Sequence, residues 1–158
     1  MKEHMKKFNV DEAGQNKYFV NNGYLVYKNV YSKEFIEGSS KYFFSNLKKL
    51  VKLSESKKID YDINGFAAAI IENYSKSNLY DDHVSNNNLL KIMQNLLGRD
   101  LAIFNQDALW INTPTNNDPV LNKGLHTDFW TGTSINTIFS KIFFTDVDDY
   151  NGMTVCPS

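Results

Sequence analysis

The chain holds one cysteine, one arginine and no long apolar run, and each shortage narrows its class. With Cys156 alone an internal disulfide is impossible, and beside Pro157 this thiol reads as a small buried apolar residue. No stretch approaches the roughly 18 uninterrupted apolar residues of a membrane-spanning helix. An excess of one charge is lacking as well, since 17 basic against 18 acidic side chains leave a formal charge of -1. Without a concentrated basic surface neither nucleic acid nor an anionic membrane is an expected partner, and a small-molecule substrate is expected instead. Met1-Lys2-Glu3-His4-Met5-Lys6-Lys7 carries positive charge with no apolar stretch behind it, so it does not read as a secretory signal and points to the cytoplasm. Repeats, low-complexity blocks and a visible domain boundary are also missing.

What is present is an apolar fraction of 42% and an aromatic content of 14%, too much for a disordered chain. At 158 residues one domain can bury roughly two thirds of the surface its unfolded chain exposes. Tyr24-Leu25-Val26-Tyr27 after Gly23 carries β-favouring residues and predicts a short strand. Ser32 is placed to cap a helix in which Phe35, Ile36, Phe43, Leu47, Leu50 and Val51 recur at helical spacing, and that helix is expected to pack on a sheet. A second helix follows from Leu89, Leu90, Ile92, Met93, Leu96 and Leu97, ended by Gly98 in a left-handed cap. Residues 101–112 and 135–145 are rich in Ile, Phe, Leu and Trp without helical period and read as strands. Asn86-Asn87-Asn88 and 113–119 read as loops, and Asn151-Gly152 as a tight turn. The order, helical and mixed over 1–98 and β-rich over 99–158, predicts an α+β domain.

Chemistry concentrates at His126-Thr127-Asp128. If this stretch is a strand, residues at i and i+2 project to one side, so an imidazole and a carboxylate can meet one ion. That is two thirds of the facial triad of non-haem Fe(II) oxygenases, whose third ligand is a second histidine. Standing alone, the pair reads more simply as a hydrogen-bonded couple near a loop. His4, near the N-terminus, and His83, in the polar Asp81-Asp82-His83 stretch, both read as solvated, and neither as the third ligand.

Downstream of the pair, after an apolar segment, comes Asp146-Val147-Asp148-Asp149-Tyr150-Asn151-Gly152-Met153-Thr154-Val155-Cys156-Pro157-Ser158. This run resembles the phytanoyl-CoA dioxygenase family, where His-x-Asp is followed by an apolar strand, an acidic turn, Asn-Gly, a short strand and Pro-Gly-Ser-His. Ser158 stands where that family more often has glycine. Asn22-Gly23-Tyr24-Leu25-Val26, then Asn29-Val30-Tyr31-Ser32 and a long helix, is similar to the family's opening, so the resemblance extends over about 18–158.

The resemblance implies a double-stranded β-helix (jelly roll) with N-terminal helices, forming a single oxygenase domain over 1–158 that is truncated at the C-terminus. It implies Fe(II) as metal, 2-oxoglutarate and dioxygen as co-substrates, and hydroxylation of an unidentified small organic substrate. His126 and Asp128 are then metal ligands converging from one strand. Asn112, in Trp110-Ile111-Asn112, corresponds to an asparagine that ectoine-hydroxylase-like members place near the co-substrate, and it is expected to face the same cavity. Thr131 is a second co-substrate candidate, its hydroxyl able to donate to a carboxylate. Both also read as ordinary polar turn or strand residues, and Phe129 and Trp130 as pocket walls or plain core. The family's distal histidine and its carboxylate-pairing arginine map beyond Ser158, and Arg99 does not correspond to the latter. A chain without those two groups is expected to have little activity. The competing readings are a non-catalytic binding module or inactive remnant of the same scaffold, and a structural α+β protein with a coincidental His-x-Asp.

Overall fold

A computed structural model of the chain describes residues 12–58, 63–103, 107–111 and 137–147. Among these residues the regular structure is helical: α1 (Glu12–Asn22), α2 (Lys33–Lys57), α3 (Ile63–Tyr74), α4 (Asn78–Val84) and α5 (Asn87–Leu97). Helix α2 starts where its cap residue predicts. Ser32 Oγ accepts from the Phe35 amide at 3.2 Å, and Glu34 in the first turn has its carboxyl held below the usual range by backbone and Ser32 hydrogen bonds. Its far end is closed by Lys58, a non-glycine residue at φ 52° and ψ 39° whose amide donates back to the last turn. Helix α5 is capped by Asn86, whose Oδ1 accepts from the amides of Asn88 and Leu89, both at 3.0 Å.

Gly98 ends α5 as expected but not in the left-handed cap, since φ 102° with ψ -178° is a conformation essentially reserved for glycine. At Gly23, φ 75° and an amide bond to the Phe19 carbonyl at 2.7 Å turn the chain out of α1.

The core lies between α2 and α3. Phe43, Ile70 and Tyr74 are buried together, flanked by half-buried Tyr42, Leu47, Leu50 and Ile71. On α3 the positions Phe66, Ala67, Ile70, Ile71 and Tyr74 follow helical spacing, so one face turns inward. Burying Ser39, a small residue, leaves room for the Tyr74 ring, whose hydroxyl sits beside Ser39 Oγ but donates to the Leu79 carbonyl at 3.4 Å. Helix α1 packs instead on α5, where Asn16 Nδ2 donates to the Asn95 carbonyl at 3.3 Å.

The expected α+β double-stranded β-helix (jelly roll) with N-terminal helices is overturned, because the described residues contain no β-strand. Helix α2 accordingly packs on α3 and not on a sheet. The described parts of the β-favouring segments form no strand. Residues 24–27 are tied to α1 by tyrosine hydroxyls, with Tyr18 donating to Tyr24 at 3.0 Å and Tyr27 to Gln15 Oε1 at 2.8 Å. Leu109, Ile111 and Phe144 spend their apolar surface on the helical core, Phe144 lying 4.9 Å from Phe43 between ring centroids. The other parts of the two expected strands, 104–106, 112 and 135–136, lie outside the described residues, as do Asn151-Gly152 and Cys156.

Candidate functional site

The sequence-derived site residues Asn112, His126, Asp128 and Thr131 lie outside the described residues, together with His4, Phe129 and Trp130. Their convergence is therefore an expectation of the sequence alone. What the structure describes is the chain on either side. Leu109 and Ile111 before this stretch and Phe144 after it pack against one cluster of Phe43, Ile70 and Tyr74. Beside that anchor, Ile36, Phe143, Phe144, Thr145 and Asp146 line a shallow open depression of about 280 Å³.

A second constellation was not foreseen. His83, expected to be solvated, sits in α4 and is enclosed by four rings: Tyr31 at 5.6 Å, Tyr80 at 6.0 Å, Tyr74 at 6.2 Å and Phe35 at 6.3 Å between centroids. Stacking of Tyr31 on Phe35 at 4.7 Å closes one wall, and the Tyr31 hydroxyl donates to the His83 carbonyl at 3.4 Å. His83 Nδ1 is buried with no hydrogen-bond partner among the described residues.

The electrostatics follow from this burial. Burial pushes the His83 pKa down, opposed by the negative charge of Asp107. Tyr80 is pushed up to about 12, first by burial and then by its hydrogen bond to Asp107 and the charge there. Tyr31 and Tyr74 are also raised, chiefly by burial. These phenols stay neutral at physiological pH, so the cluster is a packed box with one titratable centre and not an activated nucleophile. The signal that finds it is helical spacing: Leu79, Tyr80 and His83 fall on one side of a helix while Asp81 and Asp82 fall on the other.

Among the described residues there is no group of three or more His, Cys, Asp or Glu side chains that could hold a metal ion. No helix among them is long and apolar enough to cross a membrane. Comparison of the chain with protein-family models, with curated proteins and with solved structures gives no match.

Proposed function

We propose that this chain carries ligands of an Fe(II)- and 2-oxoglutarate-dependent oxygenase site acting on a small organic substrate, with His126 and Asp128 on the metal. The observation behind this reading is the ordered run of His126-x-Asp128, an apolar segment, Asp146-Val147-Asp148-Asp149, Asn151-Gly152 and Pro157-Ser158. The donor chemistry fits the ion: a neutral imidazole and a carboxylate are ligands that non-haem Fe(II) takes. His83, the one histidine among the described residues, sits in an aromatic box and is not assigned as a ligand in this reading.

With 2-oxoglutarate and dioxygen, bound Fe(II) supplies the oxidising power for hydroxylating a C–H bond. The chain's own residues have plainer tasks. His126 must be deprotonated to bind, so metal affinity falls as pH drops through its titration. Asp128 offsets part of the cation's charge. The Asn112 amide and Thr131 hydroxyl offer donors to a carboxylate of the co-substrate. Arg99, the only arginine, is exposed just beyond α5 and precedes the pair.

The test is anaerobic Fe(II) binding by the full chain, with and without 2-oxoglutarate, alongside His126→Ala and Asp128→Ala. Each variant is expected to lose more than about tenfold in affinity, since even residues that only support a ligand account for that much. Absent binding by the unaltered chain, or equal binding by the variants, refutes the reading and leaves a scaffold without metal chemistry.

A further inference from the structure

Helix α4 is too short to persist by itself, because seven residues cannot repay the cost of helix nucleation. Its place is held from outside: Leu79 and Tyr80 pack on the core cluster, the Tyr74 hydroxyl donates to the Leu79 carbonyl at 3.4 Å, and a further set of ring contacts meets at His83. Tyr31 reaches it from the segment before α2, Phe35 from α2, Tyr74 from α3 and Tyr80 from α4 itself. Among the described residues two carboxylates bear on the box. Asp107 acts on His83 from the 107–111 segment, and Asp82 lies on α4, where its charge is felt at Tyr74.

We propose that His83 is a proton-sensitive latch: neutral, it closes the aromatic box and holds α4 to α2, α3 and the Asp107 segment, and protonated it leaves the box and releases α4. The chemistry is that of a buried donor. A neutral imidazole can present Nδ1 as a bare acceptor, a tolerable vacancy among rings. Protonation makes both nitrogens donors, so Nδ1 would carry an N–H and a share of positive charge with no acceptor beside it. Three influences favour the cation: the Asp107 carboxylate, the carbonyl end of α4, where His83 lies in the last turn, and the electron-rich ring faces around it. Burial outweighs them, and the pKa in the folded chain lies below the ordinary value of 6.5. The tyrosines, all raised, do not change charge where histidine does.

The sign of the pH dependence follows. With its folded pKa depressed, His83 contributes its full stabilising effect above about 6.5 and loses it as pH falls from there to the folded value. Within that window the opening of α4 rises about tenfold per pH unit, because opening is coupled to uptake of one proton. The experiment is amide hydrogen exchange of the full chain between about pH 8 and about pH 5, read as protection factors corrected for intrinsic exchange. The α4 amides are expected to lose protection with falling pH in the unaltered chain and to stay level in His83→Phe, which fills the box without titrating. Constant protection in the unaltered chain, or an equal loss in His83→Phe, overturns the proposal. Should His83→Phe not fold, an NMR titration of the His83 ring in the unaltered chain decides, and a midpoint at or above 6.5 overturns it.

Discussion

Replacing Ile70 by alanine is the sharpest probe of the helical layer. Ile70 is 1% exposed on α3, between Phe43 and Tyr74, where it cannot relax toward solvent. The substitution deletes three carbons, and at about 0.8 kcal/mol for each buried methylene the lost transfer energy alone is about 2.4 kcal/mol. Surrounding rings are stiff and cannot close the gap, so a cavity term adds to this, giving a loss of about 3–4 kcal/mol. That is a large part of the 5–15 kcal/mol, approximately, by which domains are stable. Urea unfolding followed by far-ultraviolet circular dichroism measures it, with the slope against denaturant expected to be unchanged. Val20→Ala is the control, because Val20 is 77% exposed on α1 and its truncation should stay within about 0.5 kcal/mol. A loss below about 1 kcal/mol for Ile70→Ala would show that the α2–α3 face is not the core.

Two glycines should respond with opposite sign although an added Cβ meets nothing within 4 Å at either. Gly98→Ala is expected to cost about 1–3 kcal/mol because its backbone region is closed to alanine, and Gly38→Ala, inside α2, to stabilise by about 1 kcal/mol; thermal unfolding of both checks the signs, and equal signs would refute the backbone account. Asn86→Ala removes the acceptor for two α5 amides and is expected to cost about 1–2 kcal/mol, while Asn86→Asp preserves most of the stability.

Helices α2 and α5 were legible because each carries a one-sided apolar stripe and a terminal signal, Ser32 for one and Gly98 for the other. The remaining three carry weaker signals. Helix α1 is polar nearly all round, α3 opens with Ile63-Asn64-Gly65 and then runs apolar on most sides, and α4 is seven residues long. Tertiary contacts hold α4, which is too short to persist alone. The strand readings failed for a related reason. β propensity records how well a residue suits a half-buried surface, and Leu109, Ile111 and Phe144 find that surface on helices.

The site readings divide by the same logic. His126 and Asp128 were selected by ligand type, and the inference that their side chains converge depends on an extended backbone that supplies the i, i+2 relation. On a helix those positions lie about 200° apart and would not share an ion. His83 was judged by its sequence neighbours, Asp81 and Asp82, and that judgement was wrong because adjacency on a helix does not mean a shared face. One residue turns a helix by about 100°, so Asp82 and Asp81 face away from His83, whereas Leu79 and Tyr80, four and three positions earlier, stack beneath it. Backbone period therefore has to be established before polarity can be read. For the His-x-Asp pair that period is the premise on which the metal reading rests, and the binding measurements on His126→Ala and Asp128→Ala test its consequence directly.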